Sequence, residues 1–131
     1  MIVGIGIDTI AVKRFMHWDS YSMQQLSRIF SPQEISYCHA STLHYAERYA
    51  VRFATREALF KALSMYQPEH VLPFLTLCRL VRIEKNNLGA PTLAIDWNIL
   101  EQQYGIKPVE VLVSLTHTAT TATAWVILQK K

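Results

Sequence analysis

The sequence predicts an α+β fold, a single domain over residues 1–131 in which an antiparallel sheet packs against one long helix. Three observations carry this. β-Branched and aliphatic residues crowd positions 2–8. Alanines, arginines and an apolar stripe favour a helix from about Leu43 to Ser64. The remainder returns twice to paired apolar runs separated by turn residues. A chain of 131 residues buries about two-thirds of its unfolded surface, enough for one core.

Residues 2–8 (IVGIGID) are too short for a stable helix and read as a strand. Residues 10–17 switch to helical spacing, with Ile10, Arg14 and Trp18 four apart, and 20–30 read as another short helix. Ser31 can cap the next helix, Pro32 fits its first position, and Glu34 can close a capping box. Pro68 and Pro73 forbid continuation of the long helix. Residues 74–85 have strand character, NNLG at 86–89 signals a turn, and PTLAI at 91–95 completes a hairpin. Asp96 can cap a helix over 97–104 that Gly105 ends, and 109–116 with 121–128 form a last pair of strands around Thr118 and Ala119.

Composition narrows the function classes. There is no run of 18 apolar residues, and Asp8 interrupts the N-terminal apolar stretch, so neither a membrane span nor a signal peptide is expected. The expectation is a soluble, cytoplasmic protein. Cys38 and Cys78 stand apart with no C-x-x-C motif, which suggests buried or incidental thiols rather than zinc or disulfide chemistry. A net charge of +3 is below what a dedicated nucleic-acid binder carries, while an acidic or phosphorylated partner stays open.

On the long helix Leu43, Ala46, Ala50, Phe53, Glu57 and Lys61 share a face, so a carboxylate and an ammonium continue an apolar stripe. By pattern alone a solvated Glu57–Lys61 pair is the commoner explanation. Arg48, Arg52 and Arg56, four apart, make a ridge that suits a polyanion or simply faces water. In the first strand, Gly4 and Gly6 lack the third glycine of a dinucleotide fingerprint and sit inside the strand, where another backbone or a ligand comes close. Asp8 is then a metal ligand or the cap of a helix starting near Ile10. Ser114 and His117 fall on opposite strand faces without a G-x-S-x-G elbow, which excludes a hydrolase triad. His117 can donate to a phosphate or be merely exposed.

Taken together, Gly4-Ile5-Gly6-Ile7-Asp8, RIFS at 28–31 with Glu34, Glu47-Arg48, RFATREA at 52–58 with Lys61-Ala62-Leu63, Gly89-Ala90-Pro91 and SLTHT at 114–118 fall in a family's order and spacing. The sequence resembles the single-domain 4′-phosphopantetheinyl transferases of the holo-acyl-carrier-protein synthase type, nearly end to end. The resemblance implies transfer of the phosphopantetheine arm of coenzyme A to a serine of an apo acyl carrier protein, leaving adenosine 3′,5′-bisphosphate. It implies Mg²⁺ on Asp8 and Glu57, Lys61 against the phosphates, and Glu57 taking the serine proton directly or through water.

The same resemblance puts Arg52 and His117, with Arg48 and Arg56, at the phosphates of the nucleotide half, and Thr118 and the Gly89–Pro91 turn near the adenine. Ser64 stands where the family has a glycine that lets backbone approach the phosphates. Val51, Arg56 and Thr116 also depart from the commoner pattern. Lys13, Arg14 and Arg28 would meet the acidic carrier, but Trp18, Tyr21, Gln24 and Gln25 fill much of that surface, so electrostatic steering is weaker. A homotrimer is implied, with the apolar hairpin strands covered by neighbours, and neither nucleic acid nor membrane as partner. The alternative is a non-catalytic coenzyme A or carrier-binding protein of the same fold.

Overall fold

The computed structural model describes residues 1–69 and 71–131. Strand β1 (Ile2–Ala11) continues past the predicted end at Asp8, because β5 (Thr121–Gln129) is long enough to pair with it antiparallel from Ile2 opposite Gln129 to Ala11 opposite Thr121. This tertiary pairing overrides the helical spacing of Ile10, Arg14 and Trp18. The helix expected over 10–17 is reduced to 3₁₀ turns at Val12–Phe15 and Trp18–Ser20, and the one expected over 20–30 to a single turn, α1 (Met23–Leu26).

Helix α2 (Pro32–His39) starts as its sequence dictates: Ser31 Oγ accepts from the Glu34 N–H at 3.2 Å, and Glu34 Oε1 accepts from the Ser31 N–H at 3.0 Å. The long helix is α3 (Tyr45–Tyr66). The run expected as a strand over 74–85 splits instead into α4 (Phe74–Leu80) and β2 (Val81–Lys85). Leu77 and Cys78 are adjacent and both buried, which alternation cannot provide and a helix beginning after Pro73 can. Strand β3 (Pro91–Ile95) closes the hairpin, α5 (Trp97–Tyr104) is capped by Asp96 and ended by Gly105 at φ 68°, and β4 (Glu110–His117) precedes β5.

The main sheet has the order β1-β5-β4, with β2 and β3 forming a separate antiparallel ladder. Period-2 alternation turns Gly4, Gly6 and Ile10 of β1, and Ala122, Ala124, Val126 and Leu128 of β5, inward, all buried. Against them lies a seam of small residues on α3, Ala50, Ala54, Ala58 and Ala62, each 0 % exposed. Backbones therefore approach closely. A Cβ on Gly6 would stand 1.8 Å from the Ala58 carbonyl oxygen, and one on Gly4 would stand 2.4 Å from that of Ala62. The neighbour that the strand glycines accommodate is the backbone of α3. Phe15, Trp18 and Phe53 pack as tilted rings beside the N-terminal half of α3, with Phe15 lying 4.6 Å from Trp18 and 5.6 Å from Phe53.

The outer face of the main sheet is different. Ile5, Ile7, Leu112 and Trp125 are exposed there, with Ile7 opposite Trp125 across the β1–β5 pair. On the β2–β3 hairpin Val81 is buried, Ile83, Leu93 and Ile95 are half-buried, and Leu88 at the turn is exposed.

Candidate active site

Asp8 sits two residues after Gly6, so alternation puts its side chain on the face that meets α3. No helix begins at Ile10, which removes the cap reading of Asp8. Lys61 Nζ donates to Asp8 Oδ1 at 3.2 Å and to the Ile7 carbonyl oxygen at 2.9 Å. One turn earlier on α3, the Glu57 carboxyl is pushed above the usual range, first by burial and then by the charge of Asp8, with Lys61 and Arg14 opposing. Asp8, Glu57 and Lys61 thus form one electrostatic cluster across the β1–α3 contact.

Two carboxylates without thiol or imidazole are a hard oxygen set of the kind magnesium takes, and the repulsion of Glu57 by Asp8 is what a cation would relieve. No three His, Cys, Asp or Glu groups are arranged to hold a metal among the described residues. An ion here would therefore depend on phosphate oxygens and water for its remaining ligands, which is common for Mg²⁺.

The arginine ridge does not face water as a unit. Arg56 is 0 % exposed: its Nη1 and Nη2 donate to Glu34 Oε2 and Oε1 at 3.0 and 2.6 Å, its Nε to the Cys78 carbonyl at 3.1 Å, and Nη2 also to that of Val81 at 2.8 Å. Its expected place among phosphate contacts is corrected, since its donors are consumed by α2, α4 and β2. Burial pushes the Glu34 carboxyl up, but Arg56 and the N–H groups of Ser31 and Ile83 more than offset this and hold it below its ordinary value. Arg52 is 8 % exposed, donates from Nη1 to the Arg48 carbonyl at 3.2 Å and lies 4.6 Å over the Tyr37 ring, while its Nε has no hydrogen-bond partner. Arg48 lies over the same ring at 4.1 Å and donates to the Tyr37 carbonyl at 2.6 Å.

His117 ends β4 on the face toward α3, with Nδ1 3.2 Å from Glu47 Oε2. The Thr118 hydroxyl accepts from the N–H groups of Thr120 and Thr121 at 3.2 and 3.1 Å, closing the β4–β5 turn. Ser64 Oγ donates back to the Phe60 carbonyl at 2.8 Å and lines a cleft of about 240 Å³ with Leu63, Gln67, Leu72 and Ile106. Gly89, at φ 81°, and Pro91 lie at the hairpin turn, and no hydrogen bond or ion pair of theirs reaches the Asp8 cluster. Lys13, Arg14 and Arg28 are exposed, and Arg14 lies 5.8 Å over the Phe53 ring.

Residues 4–122 match the family model described as the 4′-phosphopantetheinyl transferase superfamily. The chain belongs to this superfamily. It is 36 % identical over 133 residues to the holo-[acyl-carrier-protein] synthase of Anaeromyxobacter sp. (strain K), a match covering 98 % of this chain and 97 % of that protein. The crystal structure of Helicobacter pylori holo-[acyl-carrier-protein] synthase in complex with coenzyme A is similar at a TM-score of 0.72 and 28 % identity, covering 95 % of this chain and 99 % of that one. A Chronobacterium ammoniagenes complex with CoA shares the fold at a TM-score of 0.79 and 23 % identity, covering 98 % and 97 % of the two chains.

In this phosphopantetheinyl transferase superfamily member, two pairings between residues that the sequence does single out were not expected from it. One is the buried Glu34–Arg56 pair, whose partners are 22 positions apart and so leave no periodic signal. The other is the contact of His117 with Glu47, which also lies 3.6 Å from His44 Nδ1. His44 and Glu47, three apart at the start of α3, were a local signal that could have been read.

Proposed function

We propose that this chain transfers the 4′-phosphopantetheine arm of coenzyme A to a serine of an apo acyl carrier protein, releasing adenosine 3′,5′-bisphosphate. The observation that carries the proposal is the cluster of Asp8, Glu57 and Lys61 where β1 crosses α3, with Asp8 and Lys61 in contact at 3.2 Å. Relatives named as synthases over nearly the whole chain favour catalysis over passive binding of coenzyme A or a carrier.

In the reaction, a bond forms between the serine Oγ and the phosphorus that carries the pantetheine. The bond from that phosphorus to the bridging oxygen breaks, and this oxygen leaves on the adenosine 3′,5′-bisphosphate. Glu57 takes the serine proton, directly or through a water, and its raised pKa makes its carboxylate a stronger base than an ordinary one. Lys61 offers its ammonium to the departing bisphosphate. Asp8 and Glu57 would hold Mg²⁺, which when bound supplies charge neutralisation at the pyrophosphate.

Arg48, Arg52 and His117 are assigned to the phosphates of the nucleotide half, Thr118 and the Gly89–Pro91 turn to the adenine side, and the exposed cations Lys13, Arg14 and Arg28 to the acidic carrier. The working assembly is a homotrimer. Its support is the exposed Ile5, Ile7, Leu112 and Trp125 on the sheet's outer face. The reaction belongs in the cytoplasm, activating carriers for fatty-acid assembly. No helix among the described residues is long and apolar enough to cross a membrane.

The test is release of adenosine 3′,5′-bisphosphate from coenzyme A in the presence of an apo carrier and Mg²⁺. Chelation, Asp8→Ala and Glu57→Ala should each abolish it. Full turnover in both variants would overturn the metal and base assignments.

A further inference from the structure

Lys61 follows Glu57 by one turn of α3, yet its short contacts cross to β1. Nζ lies 3.2 Å from Asp8 Oδ1 and 2.9 Å from the Ile7 carbonyl oxygen. The lysine side chain is 51 % exposed, whereas that of Asp8 is 18 % exposed, so water screens the pair only in part. Burial and then the charge of Asp8 raise the Glu57 carboxyl, with Lys61 and Arg14 opposing. An ammonium carried by the chain itself is thus already in contact with one of the two carboxylates assigned to Mg²⁺, and in the field of the other.

We propose that Lys61 is an internal competitor for the metal at Asp8, so that the divalent ion binds firmly only together with the phosphates of coenzyme A. The proposal rests on the transferase reading given above, and on its metal assignment in particular. An ammonium in hydrogen-bond contact with a carboxylate oxygen and a divalent ion on that same carboxylate repel each other at close range, so each weakens the other's hold. Lysine can yield. Its ammonium sits on a flexible four-carbon stem, half of which is already in solvent. Phosphate oxygens offer that ammonium a new anionic partner, and its transfer to them frees Asp8. Coenzyme and metal then raise one another's affinity by the same factor, as linkage requires. Lys61 thereby acts before the chemical step as well as during it. Arg14 differs, since it opposes Asp8 at Glu57 through space from its place 5.8 Å over the Phe53 ring.

Mn²⁺ is the probe, because its binding to the full chain is read directly from the loss of the free ion's electron paramagnetic resonance signal. Without coenzyme, Lys61→Met should bind Mn²⁺ about tenfold more tightly than the wild type, a gain that a variant unable to fold could not show. Adding Asp8→Ala should erase that gain. Arg14→Met removes an equal charge without freeing Asp8 and should change the affinity by no more than about twofold. An unchanged coenzyme-free affinity in Lys61→Met, a gain that survives Asp8→Ala, or an equal gain in Arg14→Met would each overturn the proposal and leave the transferase reading standing. A wild type that binds no Mn²⁺ even with coenzyme A present would overturn the metal assignment, and the proposal with it.

Discussion

Gly6→Ala is the sharpest perturbation of the β1–α3 contact. The added methyl would lie 1.8 Å from the Ala58 carbonyl oxygen, 2.8 Å from its carbonyl carbon and 3.0 Å from the Ala62 nitrogen. All three are backbone atoms of a helix and cannot swing away as a side chain can, so strand and helix must separate by roughly 1.5 Å to restore ordinary contact. Overpacking of a core costs about 1–3 kcal/mol when side chains can adjust, and this backbone clash should reach the top of that range or beyond. The same separation stretches the 3.2 Å contact between Asp8 and Lys61, and a misplacement near 1 Å costs about a hundredfold in rate. Gly4→Ala meets its nearest backbone atom at 2.4 Å and should lose less on both counts. Denaturant midpoints and kcat/KM of the two variants give the comparison. If Gly6→Ala is as stable and as active as the wild type, the glycines do not set the distance between Asp8 and α3, and this reasoning is wrong.

Three further outcomes are expected. Arg56→Ala leaves the buried Glu34 with only the 3.8 Å ion pair to Arg52 Nε and removes donors from the Cys78 and Val81 carbonyls, so unfolding free energy should fall by about 3 kcal/mol. Because the folded-state pKa of Glu34 is lowered, the stability it contributes is fully present above the unfolded-state value near 4.5 and is lost as pH falls through the folded-state value. Denaturation series across that window should show a slope that Glu34→Gln removes. Trp125→Glu puts a charge on the exposed sheet face and should convert a three-chain sedimentation mass into that of one chain; a single-chain mass for the wild type at micromolar concentration would refute the trimer.

Local chemistry was the part legible in sequence. The Ser31–Glu34 capping box, the Asp96 cap with Gly105 behind it, and the NNLG turn each form where their residue types require, because each depends on neighbours within a few positions. Strand β1 was underestimated because its last three residues are held by β5, more than a hundred positions away. α4 was hidden in a run whose Phe, Leu and Thr residues suit strand as well as helix. The close approach implied by Gly4 and Gly6 was readable, but its identity as the carbonyl ridge of α3 was not. The arginine ridge misled most at Arg56: four-residue spacing says which side chains align, and only the fold brings Glu34 to meet one of them.

The most direct test of the whole account is the mass of a purified apo acyl carrier protein after incubation with this chain, coenzyme A and Mg²⁺. The account predicts a gain equal to one phosphopantetheine on the carrier serine, absent with Asp8→Ala. Tight binding of coenzyme A with no mass added to any apo carrier would contradict it and leave a binding protein of the same fold.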